Sequence, residues 1–184
     1  MRNLGISILA FFVLISGSVT QAQTKASEDP SDSARLFVQK FYDWYIPGSL
    51  KAFGTKKPFS WQQRPADFDP KLFRALKADE DAQAKVPGDI VGLDWDPFVA
   101  NQDPCERNTA RKVRKNRDVY LVDVHNVCNG QEDKKVHVVA EVARENGHWV
   151  FVNFRYPAEQ SGEKDSDLLA ILKALREDRQ KVSK

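Results

Sequence analysis

The chain has 184 residues, with 28 lysines and arginines against 26 aspartates and glutamates and a formal net charge of +2. So close a balance excludes a uniform polycation or polyanion, although the charge is unevenly placed along the chain. Once an N-terminal leader is set aside, about 150 residues remain, enough for one domain with one core.

Met1-Arg2-Asn3 is a basic tip, Leu4 to Ile15 is apolar, and small and polar residues follow as far as Ala22. That order is the pattern of a secretory signal peptide, and the apolar run falls short of the roughly 20 residues of a membrane span. The expectation is a signal peptide over 1–22, a flexible leader over 23–32 and a single domain over 33–181. The product would be periplasmic or secreted and free of the membrane after cleavage, an uncleaved anchor being the alternative.

Asp32 or Ser33 is placed to cap a helix from Ala34. At 100° per residue, Ala34, Phe37, Val38, Phe41, Tyr42, Trp44 and Tyr45 share one arc of about 160°, with Arg35, Gln39 and Asp43 opposite. Pro47-Gly48 is the expected stop. A polar connection runs from Ser49 to Phe68. Asp69-Pro70 then reads as an N-cap with proline at the first helical position, opening a second helix through Leu72, Phe73 and Leu76 to about Ala84. Val86-Pro87-Gly88 closes it, and Asp89 to Pro104 reads as an ordered loop holding Leu93, Trp95 and Phe98.

Arg107, Arg111, Lys112, Arg114, Lys115 and Arg117 form a basic cluster with almost no aromatic interleaving, which would suggest nucleic acid in a cytosolic protein but not in an exported one. For an exported chain the candidates are anionic envelope polymers or lipid headgroups, or a solvated loop or strand edge that binds nothing. Outside the cytosol, Cys105 and Cys128 read as a disulfide. The bridge would close a loop worth roughly 3 kcal/mol in chain entropy.

From Asp118 the period becomes two, which gives three strands around Tyr120–Val124, Val136–Val142 and Val150–Tyr156. The turn at Glu145-Asn146-Gly147 allows two registers. A two-residue Asn-Gly loop would set Asn153 and Arg155 beside Val138 and Ala140, whereas a three-residue loop pairs Val142 with Val150 and Ala140 with Val152. The second is the reading chosen. It leaves a mixed face carrying Asp123, His125, His137, Glu141, Asn153 and Arg155. Asp165 or Ser166 then caps a last helix bearing Leu168, Ile171, Leu172 and Leu175. Helices at both ends and an antiparallel sheet between them make an α+β domain.

The stretches FVQKFYDWY, GLDWDPFVANQD, GHWVFVNFRYP and DLLAILKAL, in this order, resemble an exported bacterial family, number 3828 among domains of unknown function. The resemblance implies a cone-like roll similar to nuclear transport factor 2 and cystatins, with helices packed on a curved antiparallel sheet. It implies no activity, and such rolls host enzymes and binders alike. The basic cluster and the cysteines lie outside the resembling motifs.

Zinc at His125, Cys128, His137 and Asp123 fails on geometry, because positions three apart on a strand face opposite sides. Asp94, Asp96 and Asp103 do not fit a calcium loop, whose fifth, sixth and twelfth places would hold Phe98, Val99 and Cys105. Asp96, before Pro97, reads as a turn or cap residue. Nucleophile elbows, phosphate loops and dinucleotide fingerprints are absent from the sequence. No metal or cofactor is expected. The leading reading is a non-enzymatic exported domain that binds a small ligand or an envelope partner, with Tyr42, Tyr45, Asp123, His125, Glu141 and Arg155 as candidate ligand residues. The alternatives are an acid-base isomerase or hydrolase using the polar sheet face, and an inhibitor or immunity-type protein.

Overall fold

Asp29 and Pro30 open the first helix. Ser31 N–H donates to Asp29 Oδ1 at 2.8 Å and Ser33 N–H to the Asp29 carbonyl at 2.9 Å, so α1 spans Pro30–Ala52. The cap is therefore Asp29 and not Asp32 or Ser33, and residues 30–32, expected in a flexible leader, are helical. Pro47 does not stop the helix either. Ile46 is locked in the core beside it, and the Ser49 hydroxyl donates to the Ile46 carbonyl at 3.0 Å, holding the turn around a residue that has no N–H to give.

The computed structural model describes residues 29–52, 60–102, 105–158 and 166–182; the expected signal peptide lies outside them. After α1 come two short 3-10 turns at Trp61–Gln63 and Pro65–Asp67. Helix α2 spans Pro70–Gln83, with Asp69 Oδ1 accepting from Lys71 N–H at 2.8 Å and Leu72 N–H at 3.1 Å, as its Asp-Pro start predicts. The strands are β1 (Arg107–Asn116), β2 (Val119–Cys128), β3 (Gln131–Glu132), β4 (Val138–Glu145), β5 (His148–Tyr156) and β6 (Ser166–Asp167), and α3 spans Leu168–Val182. The sheet is antiparallel in the order β1-β2-β4-β5-β6, with β3 on the end of β2. Among the described residues three helices and a six-stranded antiparallel sheet make the fold α+β.

The β4–β5 hairpin corrects the register. Its turn is the two-residue Asn146-Gly147, both at positive φ (48° and 83°), with Glu145 opposite His148. A bulge at Val152 then shifts the pairing, so that Glu141 faces Asn153 and Ala140 faces Phe154. The extra residue returns Asn153 and Arg155 to the polar face, which is what the rejected two-residue turn could not do on its own. At the far end, Asp167 Oδ1 caps α3 by accepting from Ala170 N–H at 3.0 Å. Asn153 Oδ1 accepts from Leu169 N–H at 3.1 Å. The cap is thus Asp167, helped by a strand residue, and not Ser166, whereas Asp165 lies outside the described residues.

The core is an aromatic stack between α1 and the sheet. Phe41 lies 4.8 Å from Phe151, 5.3 Å from Tyr45 and 5.4 Å from Phe98, centroid to centroid. Val38, Phe41, Tyr42, Tyr45 and Ile46 are buried, whereas Phe37 and Trp44 pack at its margin. Burying rings of this size supplies most of what holds α1 to the sheet.

Gln39 ties α1 to the sheet's rim. Its side-chain amide donates to the Asn108 carbonyl at 3.1 Å and accepts from Ala110 N–H at 2.8 Å. Both backbone groups point the same way from β1, so one side chain fills the slots a neighbouring strand residue would fill. Replacing Gln39 with alanine leaves both without that partner. The expected cost is about 1–2 kcal/mol in urea unfolding, with faster amide exchange at Ala110, and an unchanged exchange rate would refute it.

Candidate functional site

The stretch GLDWDPFVANQ, residues 92–102, folds into a tight loop that tyrosines hold from below. Asp96 Oδ1 accepts from Phe98 N–H at 2.9 Å, and the Asp96 carbonyl accepts from Ala100 N–H at 2.9 Å. Ala100 takes a positive φ of 54° to turn the chain back, so that Asp96 and Asn101 form a backbone bridge. Three phenols then donate to this loop: Tyr42 to the Phe98 carbonyl at 2.6 Å, Tyr156 to the Pro97 carbonyl at 2.9 Å, and Tyr45 to Asp96 Oδ2 at 2.9 Å. Asp96 is thus the turn residue its sequence suggested, and it is also the floor of a cavity.

That cavity has a volume of about 400 Å³ and is walled by Trp61, Trp95, Phe98 and Tyr45, with Asp96, Glu80 and Asp79 as its acidic groups, of which Asp79 is paired with Arg179 at 2.6 Å. Trp61 Nε1–H donates to Glu80 Oε1 at 2.7 Å, and the Gln62 amide donates to the other oxygen, which aims the carboxylate. Trp95 stands edge-on to Tyr156 at 4.8 Å. Burial raises the Asp96 carboxyl to about 6, against the lowering effect of the Phe98 N–H, the Tyr45 hydroxyl and the Val99 N–H. Burial, and then the nearby Asp96 charge, pushes the Tyr45 hydroxyl far up, so it stays protonated and donates. Among the described residues no cation pairs with Asp96 or Glu80.

The six candidate ligand residues fall into two groups. Tyr42 and Tyr45 lie in the aromatic core, on the side of Val122, Val124, Ala140 and Val142. Asp123, His125, Glu141 and Arg155 project from the opposite face of β2, β4 and β5, as the period of two requires. They do not form one site. On the polar face Arg114 pairs with Asp123 and Arg155 with Glu141, both acids being almost fully covered and both arginines about half exposed. The His125 ring contacts the Asp133 carbonyl at 3.0 Å, and His137 pairs with Asp133 at 2.9 Å. This face carries a shallow basin of about 540 Å³ lined by Arg114, Asp123, Lys134, Lys135 and Arg155.

The basic cluster is the edge strand β1 and the turn after it. Arg111 pairs with Glu132 of β3, Lys115 lies over the Tyr120 ring at 5.6 Å, and Arg107 and Lys112 are exposed. Arg117, at a positive φ of 55°, is in the turn to β2. A bulge between Ala110 and Val113 turns both Arg111 and Lys112 to solvent. Charged residues and a bulge are what an unpaired rim commonly carries, and the cations spread along the strand instead of converging. Cys105 and Cys128 form a disulfide, with Cα atoms 4.9 Å apart, tying the approach to β1 to the end of β2. Cys128 is therefore no metal ligand.

Sequence reasoning missed the cavity because Tyr45 and Asp96 are 51 residues apart. The readable signal was a short one: an aspartate before proline inside an aromatic phrase, opposite a helix whose tyrosines must place their hydroxyls somewhere. No family model, no curated protein and no solved structure matches this chain.

Proposed function

We propose that this protein is an exported binding domain that takes a small organic cation, an amine or quaternary ammonium group, in the Tyr45–Asp96 cavity. The observation that carries the reading is an enclosed carboxylate that has hydrogen-bond donors but no cation, at the floor of an aromatic-walled pocket. A ligand cation there gains the Asp96 and Glu80 charges and contact with the Trp61, Trp95 and Tyr45 rings that line the cavity, and desolvated cation–π contacts are worth about 2 kcal/mol. The cavity volume lies within the usual range for small-molecule sites. Export is supported by the N-terminal apolar run and by the Cys105–Cys128 bridge, which suits an oxidising compartment.

The test is calorimetric titration with tetramethylammonium, whose charge does not change with pH. With Asp96 ionising near 6, binding is expected to weaken about tenfold from pH 7.5 to pH 5. Acetate should not bind at either pH. Equal affinity at both pH values, or no binding at all, would sink the proposal.

An acid-base enzyme is the second reading, and the same carboxyl favours it, since a pocket base titrating near neutrality suits proton abstraction. On this reading the polar sheet face contributes nothing, because its two acids are already held by arginines.

A further inference from the structure

A second groove, of about 850 Å³, lies between α2 and α3 and shares no lining residue with the Tyr45–Asp96 cavity. One wall carries Lys71, Arg74 and Lys77; the other carries Lys173, Arg176 and Arg179. Each set repeats every third residue and therefore forms a stripe along its helix. The floor between them is apolar, with Phe73, Leu169 and Leu172. Asp81 is the one acid in the lining, and it is already paired with Lys77 at 2.9 Å.

Asp79, near the end of α2, holds Arg179, near the end of α3, at 2.6 Å, and Lys173 lies 3.8 Å from Glu177. Lys71, Arg74 and Arg176 are exposed and have no ion pair among the described residues. Like-charged stripes on two packed helices repel, and among the described residues no acid offsets these three cations. That cost is removed when carboxylates enter the groove from outside.

The shape of the groove selects the occupant. Its floor is recessed between cationic walls, so a flat bilayer reaches the walls but not Phe73 or Leu172. Phe73 is the one aromatic in the lining, which gives nucleic-acid bases no stacking platform. An amphipathic helix fits both features: its apolar stripe meets the floor while acids on either flank of the stripe meet the two walls. From Lys71 to Asp81 the wall runs about 15 Å at 1.5 Å per residue, or nearly three helical turns.

We propose that the α2–α3 groove docks an acidic amphipathic helix of a partner protein, with carboxylates on both flanks of an apolar stripe of about three turns. The probe is a labelled synthetic helix with a leucine stripe flanked by glutamates, followed by fluorescence anisotropy against the domain. Saturable binding is expected at low salt, weakened at least about tenfold by Arg74→Glu with Arg176→Glu, and weakened again at 0.5 M salt as screening requires. Both residues are exposed, and an unchanged melting midpoint shows that the variant is folded. A scrambled peptide of the same composition should bind far more weakly. Four results overturn the proposal: no saturation below about 1 mM, equal affinity for the scrambled peptide, an unaffected double variant, or tighter binding to phosphatidylglycerol vesicles or a single-stranded oligonucleotide than to the helix. Asp96→Asn should bind the peptide normally, which separates a failure here from a failure of the cation cavity.

Discussion

Asp96→Asn is expected to make the protein more stable at pH 7.5 while abolishing cation binding. The Asp96 carboxyl titrates near 6 in the folded chain and near 3.9 when unfolded. Between those values the native state holds the proton more firmly, so stability falls as pH rises. The favourable contribution is complete below about pH 4 and gone above about pH 6. A shift of about two units corresponds to roughly 3 kcal/mol at most, and 1–3 kcal/mol is the expected gain at pH 7.5, or about 5 °C in the melting midpoint. Asparagine keeps an acceptor for Phe98 N–H, so the loop survives, and its amide can donate to the Tyr45 oxygen. The two readouts move in opposite directions, which a merely structural aspartate would not produce. A variant that melts lower at pH 7.5, or whose advantage over the parent persists unchanged at pH 4, would contradict the assignment.

Arg179→Met carries the largest expected loss. Arg179 Nη1 donates to Asp79 Oδ1 at 2.6 Å and to the Val91 carbonyl at 2.7 Å. Asp79, only 5% exposed, also accepts from Leu93 N–H at 2.8 Å. Gly92 lies so close that a Cβ there would meet Asp79 Oδ2 at 2.7 Å, so the carboxylate has nowhere to retreat. Removing the guanidinium leaves a covered charge and a carbonyl without their partner, a cost of about 3–4 kcal/mol. Asp79→Asn together with Arg179→Met should cost less than the sum of the single changes by about 1–2 kcal/mol. Costs that simply add, or a single-variant loss under about 1 kcal/mol, would show that the pair is not the clasp between α2, α3 and the middle loop.

The fold was legible wherever one rule decided the local structure. Asp69-Pro70 announced α2, and alternation announced β2, β4 and β5. Asp29-Pro30 carries the same signature as Asp69-Pro70, with the same bond from the N–H two residues on, but polar neighbours on its N-terminal side made it look like leader. Asp96-Pro97 repeats the bond a third time to close a turn. Strand β1 was readable only as one alternative, a strand edge, because its bulge breaks the alternation of Ala110 with Val113 and its cations read as a patch. The Val152 bulge misled in the other direction: each simple register satisfied one constraint, and the protein meets both by inserting a residue. The helical arc correctly showed that Phe41, Tyr42 and Tyr45 point inward. It could not show that Tyr45 ends on an acid in a cavity, because periodicity assigns a face and not a partner.

Gln39 has a consequence for how copies of this protein meet one another. By occupying the Asn108 and Ala110 backbone groups, it denies an incoming chain the template it would need to add a strand there. The rest of that rim is charged and bulged, and the opposite rim ends on a two-residue strand. A sheet blocked on both sides does not grow into fibrils or swap strands readily at high local concentration. Any contact with another protein is thereby left to the helices and not to the strand edges.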